Sequence, residues 1–212
     1  MPREEVVGLR ARHNLYVLRE ELLDVRQALR EGRLWEYLMQ KTQCHPSLYG
    51  VRSLMVEASG DFAEFTRLFK RRAAFLFGRE DVHRPEVRSA AARVRRVAPR
   101  SGSIELRVVQ SVDPRAAAGA AEDLYFVVPF LGVVPPGLSD VYPFSQSARP
   151  DPASVDRGVL EDTADASAEL ISGWGVKSVR ITHDGSELAR EMAGLLASRL
   201  ARLGVSVEVG QV

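Results

Sequence analysis

The chain has 212 residues, 45% hydrophobic and 27% charged, with 29 Lys+Arg against 28 Asp+Glu and a single cysteine. That length buries a real core in one large or two small domains, and the composition is that of an ordinary globular protein. One cysteine excludes a disulfide framework and any metal site built from this chain's own cysteine cluster. No apolar run approaches the ~20 residues of a membrane-spanning helix, so no membrane partner is expected. The charged start Met1-Pro2-Arg3-Glu4-Glu5 has no apolar segment behind it, so a cytoplasmic chain without a signal peptide is expected.

From Leu15, the residues Leu18, Leu22, Val25 and Leu29 recur at helical spacing. This predicts a helix over 15–30, with Asn14 as N-cap and Gly32 just beyond the C-terminus. A second short helix covers 34–40, and His45-Pro46 breaks it. A third runs over 47–57 and stops near Gly60. Phe62, Phe65, Leu68 and Phe69 form one more apolar helical face. Ala74-Phe75-Leu76-Phe77 before Gly78 reads as a short buried strand, with both phenyl rings in the core. A helix over 85–97 carries a basic side of Arg88, Arg93, Arg95 and Arg96, and strands are expected over 104–109 and 124–128.

Six prolines (129, 135, 136, 143, 150 and 152) make 129–152 a long loop, which Phe130, Tyr142 and Phe144 favour as an ordered one. The last third alternates: a helix over 154–172, a strand over 176–182, a helix over 186–203 with Leu188, Met192, Leu195 and Leu203 inward and Gly204 at its end, and a strand over 205–209. A strand, a helix and a strand joined by short connections imply a right-handed parallel unit. The fold expected is therefore α/β: an N-terminal helical extension (1–60) followed by a mixed or parallel sheet flanked by helices (61–212).

Charge is unevenly distributed. Between Arg67 and Arg107 stand 12 cations and 4 anions, a local +8 in a chain whose net charge is +1. Arg71, Arg72, Arg93, Arg95, Arg96 and Arg100 are the candidate contacts for an anionic backbone such as RNA. The plainer reading is a solvated helix face. Other constellations are weaker. Ser145-Gln146-Ser147 lacks the histidine and strand–turn–helix elbow of a nucleophile. His183-Asp184-Gly185-Ser186 lies where α/β sheets bind ligands, but Asp184 or Ser186 serves equally well as a helix cap. Cys44 has no partner in sequence and reads as a small buried hydrophobe.

His13-Asn14-Leu15-Tyr16 ahead of a long amphipathic helix resembles the end of the catalytic barrel in tRNA-guanine transglycosylases. The likeness continues through Arg30-Glu31-Gly32-Arg33-Leu34-Trp35-Glu36 and His45-Pro46. The stretch from Val134-Pro135-Pro136-Gly137-Leu138 to Tyr142-Pro143-Phe144-Ser145-Gln146-Ser147 is similar to the archaea-specific domain that follows that barrel. The resemblance is to the archaeal enzymes, glycosyltransferases of tRNA modification that act in archaeosine biosynthesis.

In that family the histidine of the His-Asn-Leu motif completes a zinc site with three cysteines of an upstream Cys-x-Cys-x-x-Cys run. Twelve residues precede His13 and none is cysteine, so the resemblance implies zinc only with a cysteine-bearing partner, His13 being a metal ligand in trans. The family's two catalytic aspartates lie on barrel strands with no counterpart here, and Asp24 and Asp61 do not match them. The resemblance also implies that the catalytic half and the C-terminal PUA module lie outside this sequence. No residue is assigned a catalytic role. The expectation is a split subunit or accessory part that helps bind and orient tRNA beside a barrel-bearing chain, not catalytic alone. A stand-alone RNA-binding module is the alternative. A small-molecule α/β enzyme using the loops at 129–147 and His183 is a third.

Overall fold

A computed structural model describes residues 2–61 and 73–212. They divide into two compact units, Met1–Met55 and Val56–Val212. The expected helical face Phe62-Phe65-Leu68-Phe69 and the candidates Arg71 and Arg72 lie outside the described residues.

The first unit is helical. Helix α1 (Arg3–Glu31) is followed by α2 (Leu34–Thr42), α3 (Pro46–Tyr49) and α4 (Val51–Glu57), the division between units falling inside α4. Asn14 is not an N-cap. Residues 3–13 are rich in Glu, Arg, Leu and Val, and Glu4 and Glu5 complement the helix dipole in the first turn, so α1 begins well before the expected start. Its end is as expected: Gly32 takes a left-handed conformation (φ 68°) and its N–H closes the last turn. Glu21 on α1 accepts hydrogen bonds from Lys41 Nζ and Tyr37 Oη on α2, each at 2.6 Å. Lys41 first, then Tyr37, hold the Glu21 carboxyl below the usual range. Ala28 is the one buried residue of α1, and Leu15, Leu18 and Leu22 are each at least 60% exposed. Cys44 is exposed rather than buried, its thiol donating to the Gln40 carbonyl.

The second unit is α/β. Its five-stranded sheet is built from β2 (Ser103–Val108), β3 (Leu124–Val128), β4 (Gly132–Val134), β6 (Ser178–His183) and β7 (Ser206–Gln211), in the order β4-β3-β2-β6-β7. Strands β3, β2, β6 and β7 are parallel, with Leu106 opposite Tyr125 on one side and Ile181 on the other. Strand β4 returns antiparallel on β3. Every residue of β3 is buried, as in a strand covered on both faces. A separate two-stranded parallel sheet joins β1 (Ala74–Phe75) to β5 (Ser147–Ala148).

The flanking helices are α5 (Pro85–Val94), the short α6 (Pro114–Ala118), α7 (Arg157–Gly173) and α8 (Glu187–Arg202). Helix α7 packs on α8 and β4, and α8 also packs on β2, β6 and β7. The apolar spacing of α8 puts Leu188, Met192, Leu196 and Leu200 into the core, and Gly204 (φ 80°) turns the chain into β7.

The proline-rich stretch is more structured than a loop. It contains β4, β5 and a 3-10 turn over Pro136–Leu138, and Phe130, Tyr142 and Phe144 are buried. At the β3–β4 turn both Phe130 (φ 70°) and Gly132 (φ 72°) are left-handed. A Cβ at Gly132 would come within 3.3 Å of Ser167 Oγ. Phe130 carries strain on the order of 1–3 kcal/mol, offset by burial of its ring and by its N–H, which donates to Thr163 Oγ1 at 3.1 Å.

Leu106 on the central strand is fully buried. Leu106→Ala is expected to lower the free energy of unfolding by about 2–5 kcal/mol, while Leu18→Ala on the exposed side of α1 stays within about 0.5 kcal/mol. Urea denaturation of the two variants makes the comparison.

Candidate nucleic-acid interface

The basic block contains two kinds of arginine. Pro85 opens α5, and Val87, Ala90 and Val94 face the core. The helix stops at Val94, so Arg95 and Arg96 lie just past its end, not on its side. Arg88 Nη1 donates to Ser59 Oγ. Arg93 is half-buried and its Nη2 donates to the Tyr142 carbonyl at 2.7 Å, tying α5 to the proline-rich stretch. Burial pushes its guanidinium below the ordinary range. Arg79 is bidentate to Asp162 at 2.6 and 2.7 Å. These are internal contacts.

Arg95 and Arg96 are exposed, and the backbone there is anchored to α7's end: Trp174 Nε1 donates to the Arg95 carbonyl, 3.3 Å away. Arg100 is fully solvated, 3.7 Å from an equally exposed Glu122, a pairing worth little in water. Of the described candidates, Arg95, Arg96 and Arg100 thus present charge to solvent, all within one short turn of chain.

Phe75 and Phe77 are not core residues. They are 44% and 66% exposed, while Ala74 and Leu76 before and between them are fully buried. The two rings are nearly parallel (12°), with centroids 6.0 Å apart. The strand alternates strictly, which four apolar residues in a row conceal in sequence. Two exposed parallel rings, close in sequence to Arg72, are the kind of surface on which bases stack.

A cleft of about 380 Å³ lies between α5, α7 and the β3–β4 turn, lined by His83, Arg88, Arg95, Phe130, Asp162 and Ser167 among others. Its polar groups are mostly engaged in internal contacts. Thr163 Oγ1 donates to the Val159 carbonyl at 2.6 Å. His83 stands 3.9 Å from Asp162, beyond hydrogen-bond range.

The remaining candidates are structural. In the β6–α8 loop, Asp184 Oδ1 accepts from the Ser186 N–H and His183 Nδ1 from the Gly185 N–H. The Ser186 contacts lower the Asp184 carboxyl. Ser145 Oγ donates to the Asp140 carbonyl. His13 is exposed in the interior of α1. Among the described residues no group of three or more His, Cys, Asp or Glu could hold a metal ion, so His13 alone does not make a zinc site here. Nor, among them, is any helix long and apolar enough to cross a membrane.

The fold and this surface define an α/β unit with a largely parallel sheet, a solvated arginine turn and a pair of exposed aromatics. Over 186 residues, 85% of this chain, the sequence is 33% identical to the tRNA-guanine(15) transglycosylase of Sulfolobus acidocaldarius, covering 37% of that protein. It is 28% identical to the tRNA-guanine(15) transglycosylase of Saccharolobus solfataricus (71% of this chain, 32% of that protein) and 30% identical to that of Pyrococcus abyssi (76% and 24%). By this shared region the chain belongs to the archaeal tRNA-guanine(15) transglycosylase family, spanning between a quarter and somewhat over a third of the length of these curated relatives. No protein-family model and no solved structure matches it.

His83 gives a pH prediction. Burial lowers its pKa, outweighing the attraction of Asp162. The folded state therefore binds fewer protons than the unfolded one, and stability falls as pH drops below about 6.5. His83→Gln is expected to flatten that part of the profile, read as denaturation midpoints between about pH 5 and 8.

Proposed function

We propose that this chain is a component of a tRNA-guanine transglycosylase acting in archaeosine formation. It binds and orients tRNA while a partner chain carries the catalytic barrel, the two catalytic aspartates and the zinc cysteines. In this reading residues 1–60 supply the last barrel helix and linker, and 61–212 the domain that follows. The chain does no base exchange alone, and it works in the cytoplasm.

The observation that carries the reading is the family match, which extends over 85% of this chain but 37% of the relative. The exposed apolar side of α1 supports it, because large uncovered patches usually mark partner surfaces. His13 lies on that same helix, where a cysteine-bearing partner would enlist it as the fourth zinc ligand. Purification from the native host at low salt is expected to yield a barrel-bearing chain with the Cys-x-Cys-x-x-Cys run, stoichiometric zinc and tRNA. A chain that recovers no such partner and leaves the activity of a supplied barrel chain unchanged sinks the proposal.

The alternative is a stand-alone RNA-binding module, favoured by the self-contained core of Val56–Val212. Both readings place RNA on the same turn. Changing Arg95, Arg96 and Arg100 together to Gln is expected to weaken tRNA binding and to reduce the salt slope by about 0.7–0.9 for each phosphate that is no longer neutralised. Phe77→Ser removes a stacking ring at constant charge, so affinity falls while the salt slope stays. Filter binding across a salt series separates these effects, and unchanged affinity in the arginine variant would exclude this surface.

A further inference from the structure

Arg149 is a cation without a counter-charge among the described residues. It follows β5 directly, and its Nη1 is buried with no hydrogen-bond partner. Burial depresses its pKa, with no opposing carboxylate among the described residues. The adjacent acid, Asp151, accepts the Ala153 N–H on its Oδ1 and caps a 3-10 turn. A half-buried guanidinium with a buried, unpaired nitrogen is costly, and native folds normally pair it.

Two residues earlier, Ser147 Oγ is also buried without a partner. Residues i and i+2 of an extended chain share a face, and both side chains line one cavity of about 220 Å³. Gln110, Ser111 and Phe130 line it too, and no acidic side chain among the described residues does. The cavity sits beyond the carboxyl ends of β2 and β3, with Leu188 from the start of α8 on its wall. Strand β2 lies between β3 and β6, where the sheet order reverses, and ligands of parallel α/β sheets bind in that crevice. The left-handed, fully buried Phe130 marks the same place, since backbone strain tends to collect at ligand sites.

We propose that this cavity is a phosphate-binding site, with Arg149 as the charged donor, Ser147 as the buried hydroxyl donor, and Gln110 and Ser111 completing the ring. A planar guanidinium beside hydroxyl and amide donors, in a cavity that no acidic side chain lines among the described residues, matches the several acceptor oxygens of a phosphate. The scaffold is set before a ligand arrives. Strand β5 is paired to β1 through the Ala74 N–H to Gln146 and the Leu76 N–H to Ala148, and Arg84 holds the Phe75 carbonyl at 2.6 Å. The phosphate belongs either to an RNA backbone or to a free phosphate-bearing small molecule.

The probe is inorganic phosphate, titrated in sulfate-free buffer and read by calorimetry and by Tm. Phosphate is expected to raise the Tm of the unaltered chain. Arg149→Met should weaken phosphate binding by about 10–100-fold, the loss of one charge-assisted hydrogen bond. In phosphate-free buffer the same variant should melt at or above the Tm of the unaltered chain, because it removes a half-buried charge that has no partner among the described residues. Ser147→Ala keeps the charge and should weaken binding by roughly 2–10-fold. An unchanged Tm in phosphate, an equal response in Arg149→Met, or a large Tm loss in that variant without phosphate would each overturn the proposal. Competition identifies the source. If phosphate displaces tRNA and Arg149→Met weakens tRNA binding, the ligand is an RNA phosphate; if tRNA binding is indifferent to both, it is a free phosphate compound. Phosphate binding through Arg149 in a chain that does not bind tRNA keeps this site and removes the tRNA reading.

Discussion

Arg84 is almost wholly buried, and the placement of the candidate surface depends on it. Its Nη1 donates to the Phe75 carbonyl at 2.6 Å and lies 3.5 Å from Asp81, while Nε is 3.5 Å from Glu86. Glu86 is equally buried, so each charge is tolerable only because the other is present. Removing one member of such a network strands the rest and costs on the order of 3–5 kcal/mol. Asp81 extends the clamp, accepting the Phe77 and Gly78 N–H groups at 2.8 and 3.1 Å. The chain from Phe75 to Gly78, which presents both rings, is thus fastened by the same buried ions. Through β1 the clamp reaches β5, and with it Ser147 and Arg149.

The same pairing of charges changes the meaning of the basic block. A local +8 in the sequence looks like one electropositive face. In the fold, Arg79 goes to Asp162, Arg84 to Asp81 and Glu86, Arg88 to Ser59 and Arg93 to Tyr142. Much of the excess therefore holds α5, the following turn and the proline-rich stretch together. Among the described candidates, the turn at Arg95, Arg96 and Arg100 is left to face solvent. Arginine suits both tasks because its planar fork makes several directed bonds without losing its charge.

Where side-chain periodicity was unambiguous, the elements were legible in the residues. Leu188 and Met192 mark the inward face of α8 and Gly204 its end, whereas Leu196 and Leu200 take the inward places expected of Leu195 and Leu203, and Leu203 is 48% exposed. Asn14 misled because a good capping residue also sits comfortably within a helix when strong helix formers precede it. Ala74-Phe75-Leu76-Phe77 misled for the opposite reason. With no polar residue in the run, nothing distinguishes the buried pair from the exposed pair, and tertiary contacts alone decide. The roles of Arg93 and Arg149 were invisible for a related reason. Each depends on what stands opposite after folding: a carbonyl 49 residues away for one, and no carboxylate among the described residues for the other.

A division of labour between the two units follows from how each treats apolar surface. The second unit closes around a contiguous core that includes both sides of β3 and the inward faces of α5, α7 and α8. The first leaves Leu15, Leu18 and Leu22 to solvent along a 29-residue helix. A helix of that length gains little from intrinsic propensity compared with burial of its apolar face. One unit is therefore saturated in its own contacts and offers mainly polar and aromatic groups outward, the chemistry of RNA contact. The other is unsaturated and offers leucine, the chemistry of protein contact. That asymmetry fits the proposed component, which would join a nucleic acid to a second polypeptide, and it arises from hydrophobic patterning before any family likeness is considered.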